Sequence, residues 1–384
     1  MTPEPFVSLW PDPDALGTVT DLYELTMLAG YLAEGMGSQT ATFEVFVRRL
    51  PPNRSFLVFA GLEQAIGDLA RLAFSNAQIE ALRRSPAFKG TDGAFFETLR
   101  HLRFEGDVFA VPEGTVVFPG ETLVRVTAPL PQAQWVETFL LASLGYPTLV
   151  ASKAARMVLA AKGKSLFEFG ARRAHGPHAG LLAARAAYLA GFDAPSHVEA
   201  ARRLDIPCVG TMAHSWVQAF DSEEQAFEAY ARRFPASTTL LVDTYDTLEG
   251  VRKAAAIAPP NSAVRLDSGD LADFAPKARA ILDERGRTDV RILASGDLDE
   301  TSLAALAATG APIDGYGIGT ELTTSRDAPA LSMVYKLVEL GGSGRIKLAP
   351  GKKTYPMAKQ VFRRRDASGV FAGDLVSRAD EPAP

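Results

Sequence analysis

The chain has 384 residues, of which 47% are hydrophobic and 22% charged, so it can bury the core of one large domain or of two interlocked domains. Its net charge of −5 argues against a general nucleic-acid binder, and its single cysteine excludes a disulfide framework and a cysteine-based zinc cluster. Because no apolar run reaches the ~18 residues of a membrane span and no basic residue precedes Trp10, we expect a cytoplasmic protein with neither a secretory signal nor a membrane partner.

The N-terminal part of the chain, up to about residue 145, mixes helical and strand patterns. A helical spacing over 21–33 is followed by short β-rich segments, which are Thr40–Arg48, Ser55–Phe59, Val108–Val111, Thr115–Phe118 and Thr122–Val126. The break at Pro51-Pro52-Asn53 predicts a hairpin between the first two of these segments. A second helical spacing runs over 132–144, so this part reads as an α+β domain.

From about residue 150 to 325, short apolar segments alternate with amphipathic helical ones. The predicted strands are Ser165–Phe169, Pro207–Gly210, Thr239–Asp243, Ala263–Leu266, Val290–Ala294 and Asp314–Ile318. The predicted helices are Ala179–Leu189, Ser222–Arg233, Thr247–Ile257, Leu271–Arg285 and Thr301–Thr309. This alternation predicts right-handed crossovers and a parallel sheet, and the number of units favours an irregular (β/α) barrel over an open sheet. The glycine-rich segment 340–353 is predicted to be a flexible loop.

Two late strand ends carry glycines beside hydroxyl side chains. Ser295 and Gly296 follow one strand, and Gly317, Gly319 and Thr320 follow the next. Glycines let backbone N–H groups approach an anion, and such ends on successive late strands resemble the phosphate site of α/β barrels. The alternative is a pair of tight strand–helix turns. We predict phosphate contacts at these five residues.

A further strand end combines one arginine with two carboxylates. Arg265 lies inside an otherwise apolar strand, where a guanidinium is costly unless it meets an anion. Asp267 shares its strand face, and Asp270 follows after a serine and a glycine. The two carboxylates could hold ribose hydroxyls or a magnesium ion. The alternative for Asp270 and Ser268 is capping of the next helix.

Basic and imidazole side chains follow two other strands. Arg172 and Arg173 open a loop, and one of them is predicted to bind phosphate while the other is a solvated surface charge. His214 follows a predicted strand that ends in Gly-Thr. Neutral imidazole is nucleophilic enough to accept a phosphoryl group, whereas the alternative is a structural histidine.

Several ordered blocks of the chain resemble those of nicotinate phosphoribosyltransferases, and the resemblance covers nearly the whole chain. These blocks are Thr20–Met27, Phe56–Leu62, Glu168–Arg173, Gly210–Trp216, Arg265–Asp270, Gly317–Thr320 and Val334–Val338. The resemblance implies an irregular α/β barrel of the type II phosphoribosyltransferase kind over 146–329. It also implies an α+β domain built from 1–145 and 330–384 that contributes to the neighbouring active site of a homodimer.

The same resemblance assigns roles to individual residues. Tyr23 would stack on nicotinate, reaching across from the neighbouring subunit. Thr211 and Arg265 would bind nicotinate, with Arg265 as the partner of its carboxylate. Gly319 and Thr320 would hold the 5-phosphate of phosphoribosyl pyrophosphate (PRPP). His214 matches the phosphohistidine of the family.

The implied reaction converts nicotinate, PRPP, ATP and water to nicotinate mononucleotide, pyrophosphate, ADP and phosphate, the first step of NAD salvage from nicotinate. Magnesium or manganese would neutralise the pyrophosphate leaving group. Phosphorylation of His214 by ATP, the co-substrate, would couple hydrolysis to the transfer.

One block departs from the family pattern, and other activities stay open. The segment 347–361 carries Ala349 where serine is common and Met357 where glycine is common, which puts the contacts of that loop in doubt. A phosphoribosyltransferase acting on nicotinamide or quinolinate is the nearest alternative, although Arg265 favours an acid over the amide. A sugar-phosphate isomerase and a catalytically silent ligand-binding barrel are the others.

Overall fold

The computed structural model describes residues 9–382, so the expectation drawn from the N-terminal start falls mainly outside the described residues. The helices are α1 Leu22–Ala33, α2 Leu62–Leu69, α3 Asn76–Arg84, α4 Gly93–His101, α5 Leu130–Trp135, α6 Glu137–Ala160, α7 Pro177–Leu189, α8 Val198–Leu204, α9 His214–Gln218, α10 Glu223–Arg233, α11 Thr247–Ile257, α12 Leu271–Glu284, α13 Glu300–Thr309 and α14 Thr320–Thr323. The strands are β1 Thr40–Val47, β2 Leu57–Val58, β3 Asp107–Ala110, β4 Val116–Val117, β5 Val124–Pro129, β6 Ser165–Glu168, β7 Ala194–Pro195, β8 Thr239–Leu241, β9 Ala263–Leu266, β10 Arg291–Ser295, β11 Gly315–Ile318, β12 Met333–Leu340, β13 Ser343–Gly344, β14 Lys359–Arg365 and β15 Phe371–Arg378. Within residues 9–382, no helix combines the length and the apolar character needed to cross a membrane.

The chain divides into two compact units, one formed by the chain up to Tyr146 together with the chain from Ala330, the other by Pro147–Pro329. In the described part of the first unit, an antiparallel sheet has the strand order β13-β12-β1-β5-β3. Its core contains the stacked rings of Phe43 and Tyr335, whose centroids lie 4.7 Å apart. The buried Tyr335 hydroxyl donates to the carbonyl of Ala133 at 2.7 Å, so its polar end is satisfied.

The predicted hairpin of the first unit is wrong. Strand β1 pairs with β5 on one side and β12 on the other, whereas β2 pairs with β4. The two edges of β1 are therefore taken by strands distant in the chain, and the Pro51-Pro52 break only ends β1 without turning it onto β2. The glycine-rich segment 340–353 begins with a turn at Gly341 and Gly342, both at positive φ. It then forms the short strand β13 against β12.

The second unit contains a parallel sheet with the order β7-β6-β11-β10-β9-β8 among the described residues. Its central strands are almost fully buried, as expected for a sheet covered by helices on its outer face. Gly250 allows α11 to pack closely on the strand end before it, because a Cβ there would lie 2.1 Å from the carbonyl oxygen of Val242. This close packing fixes the turn that follows β8.

The predicted strand Pro207–Gly210 is wrong, because the residues from 205 to 213 have no regular secondary structure. The segment still bridges the two edge strands. The N–H of Val209 donates to the carbonyl of Pro195 in β7 at 3.0 Å, and the Thr211 hydroxyl donates to the carbonyl of Thr239 in β8 at 2.9 Å. Pro195 and Pro207 lack N–H donors, so a continuous ladder cannot form here. The ring of strands is therefore closed by an irregular seam.

Candidate active site

A cavity of about 690 Å³ lies at the carboxyl ends of the parallel strands in the Pro147–Pro329 unit. Its lining comes from five strand ends and from the seam, so residues distant in the chain meet in one place. The lining residues are Phe169, Arg172, Arg173, Ser196, Gly210, Thr211, Met212, Ala213, His214, Ser215, Arg265, Asp267, Ser295, Gly296, Asp297, Gly317, Gly319 and Thr320. Most of the residues predicted to bind ligands therefore line one cavity.

An ion pair between a buried arginine and a partly exposed aspartate forms one wall of the cavity. The Arg265 guanidinium lies 3.2 Å from Asp267 Oδ2 and donates to the carbonyl of Met212 at 3.4 Å. Its side chain is 10% exposed, and its Nε has no hydrogen-bond partner among the described residues. Ser295 Oγ donates to Asp267 Oδ1 at 2.5 Å. Arg265 therefore keeps donor capacity that no described residue takes up.

The charge state of Asp267 follows from its neighbours. Burial raises the pKa of Asp267, but the positive charge of Arg265 and the hydrogen bonds from Ser295 and Arg265 lower it by more. The net pKa lies below the ordinary value for aspartate, so this carboxylate is ionised at neutral pH. The Arg265–Asp267 pair is thus a fixed dipole at the cavity wall.

His214 is the first residue of α9, where the seam ends. Its Nδ1 lies 3.1 Å from the Thr244 hydroxyl, and its Nε2 lies 3.8 Å from Asp267 Oδ2. The imidazole is 42% exposed, so a ligand in the cavity can reach it. A hydroxyl contact on one ring nitrogen orients the ring and leaves the other nitrogen toward the cavity.

The glycines of the late strand ends have different packing reasons. Gly296 has a φ of +100°, and a Cβ there would lie 2.4 Å from the carbonyl oxygen of Asp267. A Cβ on Gly317 would lie 2.4 Å from the Phe169 ring. A Cβ on Gly319, by contrast, would meet nothing closer than 3.4 Å, the distance to the carbonyl oxygen of Phe169. Thus Gly296 and Gly317 are required by the packing of the strand ends, while all three keep side chains out of the cavity.

Glu168, Arg172 and Arg173 follow one another closely at the end of β6. Both guanidinium groups are exposed and line the cavity, and neither forms an ion pair with another described residue. Glu168 is buried, and burial raises its pKa to about 7 in spite of the hydrogen bond from the Gly170 N–H. At neutral pH this carboxyl group is therefore only partly ionised beside the two arginines.

Two predicted site residues lie elsewhere. Asp270 does not line the cavity, and its Oδ1 accepts the N–H groups of Ala272 and Asp273 at the start of α12. Asp270 therefore caps α12, as the alternative interpretation of the sequence predicted. Tyr23 belongs to the first unit, and its side chain is 44% exposed. Burial and the charges of Glu137 and Glu24 raise the pKa of its phenol, so Tyr23 is neutral at physiological pH.

The sequence of the whole chain is similar to proteins of known family. Residues 18–145 match the family model of the nicotinate phosphoribosyltransferase N-terminal domain, and residues 150–334 match that of the quinolinate phosphoribosyl transferase C-terminal domain. A nicotinate phosphoribosyltransferase of Mycobacterium tuberculosis is 50% identical over 371 residues, which cover 95% of this chain and 79% of the relative. This chain belongs to the nicotinate phosphoribosyltransferase family.

Other members of the nicotinate phosphoribosyltransferase family give the same result. The Bacillus subtilis enzyme is 42% identical over 382 residues, covering 96% of this chain and 77% of the relative. The crystal structure of human nicotinic acid phosphoribosyltransferase matches with a TM-score of 0.83 and 34% identity, covering 95% of this chain and 82% of the human chain. These likenesses confirm the predicted α/β, barrel-type fold class.

Met357, which stands where we expect glycine in nicotinate phosphoribosyltransferases, has an unusual backbone conformation. Met357 has a φ of +69°, in the left-handed region that favours glycine. Its N–H donates to the carbonyl of Val338 at 2.8 Å. The backbone therefore keeps a glycine-type conformation although the residue is methionine, and Ala349 lies in the irregular loop before it.

Several residues at the cavity were not predicted as site residues, and Phe169, Ser196 and Thr244 are three of them. Phe169 and Ser196 line the cavity, and Thr244 contacts His214. Phe169 lies inside the Glu168–Arg173 block, and its position directly after a strand was an available signal. Thr244 directly follows the predicted strand Thr239–Asp243, which was the same kind of signal. No local signal marks Ser196, because its importance depends on which strand ends meet in the nicotinate phosphoribosyltransferase fold.

Proposed function

We propose that this chain transfers the phosphoribosyl group of PRPP to nicotinate and produces nicotinate mononucleotide and pyrophosphate. Membership of the family supports this activity. The observation that carries the choice of an acid substrate is Arg265, a buried guanidinium at the cavity whose Nε has no partner in the described part of the chain. Asp267 balances the charge of this guanidinium at 3.2 Å but leaves its Nε without an acceptor, and a carboxylate offers two acceptor oxygens in a geometry that matches a guanidinium.

In the proposed reaction, the ring nitrogen of nicotinate attacks C1 of PRPP as the bond from C1 to the pyrophosphate oxygen breaks. Arg265 and Thr211 orient the nicotinate, and Gly319 with Thr320 binds the 5-phosphate. Arg172, Ser295 and Gly296 at the end of β10, and Gly317 in β11 provide donors for the remaining phosphate oxygens. Their role is to place the reactants and to stabilise the negative charge that develops on the leaving group.

Magnesium fits this cavity only as a partner of the substrate. Among residues 9–382, no group of three or more His, Cys, Asp or Glu side chains could hold a metal by itself. Asp270 is engaged as a helix cap and Asp267 as the partner of Arg265 and Ser295, which leaves the exposed Asp297 as the available carboxylate in the lining. When bound, Mg²⁺ or Mn²⁺ would neutralise charge on the pyrophosphate, as expected for an ion held by one or two carboxylates and substrate phosphates.

We further propose that ATP phosphorylates His214 and thereby couples ATP hydrolysis to the transfer. Its contact with Thr244 and its exposure to the cavity support this role. Transfer to the imidazole would form an N–P bond as the bond to the ADP oxygen breaks, and water would later release phosphate. Coupling requires that the phosphorylated and free enzymes differ in their affinity for PRPP or for the products.

The proposal also includes a cytoplasmic homodimer with shared active sites. Tyr23 supports this arrangement, because it belongs to the first unit, is 44% exposed and has a neutral phenol that can stack on an aromatic ligand. In the proposed dimer, Tyr23 would stack on the nicotinate bound by the other subunit. Mixing Tyr23→Ala chains with Arg265→Ala chains tests this: restored activity supports sharing, and an inactive mixture of confirmed heterodimers refutes it.

A substrate panel tests the proposed reaction. Purified protein is incubated with PRPP and either nicotinate, nicotinamide or quinolinate, and mononucleotide formation is followed by chromatography. We expect nicotinate mononucleotide as the main product. A preference for nicotinamide or quinolinate would overturn the choice of substrate, and no product with any of the three would overturn the transferase assignment.

Labelling with ATP tests the role of His214 separately. Incubation with γ-labelled ATP is expected to give a protein-bound label that is labile in acid and stable in base. The label should be absent in His214→Ala. No label in the wild type, or a label that persists in the variant, would refute the phosphohistidine.

A further inference from the structure

Four charged side chains form a closed ring in the Pro147–Pro329 unit, and none of them lines the cavity. Lys153 Nζ lies 2.9 Å from Glu300 Oε2 and 2.9 Å from Asp327 Oδ1. Arg156 Nη1 lies 3.0 Å from Glu300 Oε1 and 3.0 Å from Asp327 Oδ2. Each carboxylate therefore bridges both cations, and the charges of the ring sum to zero.

The ring joins three segments of the unit. Lys153 and Arg156 lie one turn apart on α6, and Glu300 is the first residue of α13. Asp327 lies in the irregular connection after α14. The chain reaches Glu300 directly from the cavity-lining loop 295–297, and it reaches Asp327 from the cavity-lining residues 319–320 through α14. The two proposed phosphate loops are thus held to one common cation.

Burying these four charges costs desolvation free energy, so the ring is better explained by a role in positioning than by stability. The Lys153 side chain is 1% exposed, so its ammonium has lost nearly all of its hydration. A buried ion pair is weak evidence for stability, because desolvation offsets much of the attraction between the charges. Its geometry is nevertheless demanding, since two carboxylates must stay within hydrogen-bond distance of one nitrogen. A fixed separation of the two attached loops is the property that the ring provides.

We propose that Lys153 is a positioning residue for the phosphate-bearing substrate. The ring holds the loop after β10 and the loop after β11 at the spacing at which both can contact the anionic ligand. This inference rests on the proposed function in one respect, the identity of PRPP as that ligand. Nicotinate would be affected much less, because its proposed contacts, Thr211 and Arg265, lie on the seam and on β9.

The test compares substitutions in the ring with one elsewhere. Lys153→Met removes the central cation, and Asp327→Asn keeps the size of the side chain while removing one charge. The control is Lys253→Met, because Lys253 Nζ also contacts two carboxylates, Glu223 and Glu224, at 3.4 Å each. Those contacts join α10 and α11, which carry neither phosphate loop.

For each folded variant, steady-state KM values for PRPP and nicotinate are measured together with the thermal midpoint. Binding of PRPP and of inorganic pyrophosphate is measured by calorimetry. We expect the KM and Kd for PRPP to rise about tenfold in both ring variants, while the KM for nicotinate changes less than about twofold. Lys253→Met should lower the midpoint without changing either KM.

Two results would overturn the proposal. One is unchanged PRPP binding in Asp327→Asn, and the other is an equal rise of both KM values, which indicates a general structural role. If Lys153→Met does not fold, Asp327→Asn decides alone. If the wild type makes no nicotinate mononucleotide, the proposed function fails, and pyrophosphate binding to the wild type and Asp327→Asn still decides the role of the ring.

Discussion

Replacing Arg265 by methionine removes a buried charge while keeping much of the side-chain volume. The guanidinium contacts Asp267 at 3.2 Å and the carbonyl of Met212 at 3.4 Å, and its buried Nε has no hydrogen-bond partner among the described residues. In the proposed complex, the substitution would remove the charged partner of the nicotinate carboxylate. It would also leave Asp267, which is ionised, facing that carboxylate without compensation.

The expected magnitude follows from these two losses. A hydrogen bond to a charged group contributes about 1.5–3 kcal/mol, and unpaired charges add to the loss. We therefore expect a loss of about 3 kcal/mol of transition-state stabilisation, or ~100-fold in kcat/KM for nicotinate. Nicotinamide lacks the carboxylate, so its kcat/KM should fall much less, and the preference for the acid should shrink accordingly.

The assay is the steady-state rate of mononucleotide formation with each substrate at saturating PRPP. Arg287→Met is the matched control, because Arg287 is 19% exposed and bonds to the carbonyls of Ala255 and Pro259 and to Asp289, away from the cavity lining. The control should lower stability and leave the substrate preference intact. An unchanged KM for nicotinate in Arg265→Met, or an equal loss with both substrates, would refute the reasoning.

Three further predictions concern stability. Burial raises the pKa of Glu168 from 4.5 to about 7, so its contribution to stability is fully present below the unfolded value and falls as pH rises through the folded value. Glu168→Gln should therefore raise the thermal midpoint more at pH ~8 than at pH ~5, by several degrees. Gly296→Ala should lower the free energy of unfolding by about 2 kcal/mol or more, because its φ is +100° and its Cβ would meet a carbonyl oxygen at 2.4 Å. At Met357, with a φ of +69°, substitution by glycine should give a protein about 1 kcal/mol more stable than substitution by alanine.

Each of these predictions has a control and a contradicting result. For Glu168, an equal midpoint shift at both pH values would contradict the linkage. For Gly296, the control is Gly310→Ala, since Gly310 has a φ of +68° and open space around it, so a loss of about 1 kcal/mol is expected from strain alone. Equal losses at the two glycines in urea unfolding would argue against the clash. For Met357, an alanine variant as stable as the glycine variant would show that its backbone is unstrained.

The parallel sheet could be predicted because each of its strands and helices has a recognisable pattern in its own short stretch of sequence. Apolar runs such as Ala263–Leu266 are short and are bounded by turn residues, and the helix Thr247–Ile257 has the predicted bounds. The cavity-lining glycine loops could be predicted because glycines lie at the ends of two of these runs. The strands, the helices and the glycine loops can each be recognised from a pattern that spans only a few residues.

Pairings between distant segments could not be predicted in the same way. The apolar run at Pro207–Gly210 looks like a strand, but proline at 195 and 207 prevents a ladder, and the partner became known only with the fold. The sequence is equally consistent with Asp270 as a ligand contact and with Asp270 as a helix cap. The geometry at the start of α12 shows that it is the cap. Lys153 contacts residues far along the chain, so it carries no local signature.

The irregular seam between β7 and β8 has a consequence for motion. Within the described residues, Val209 is the one residue from 208 to 213 that donates its N–H to another backbone carbonyl. Segments with few backbone hydrogen bonds open locally at a lower free energy than the sheet beside them. The amide hydrogens of 210–213 should therefore exchange with deuterium far faster than those of β9 and β10. His214 thus begins α9 directly after the seam, a segment that opens more easily than the neighbouring strands. A ligand that binds there can order the seam.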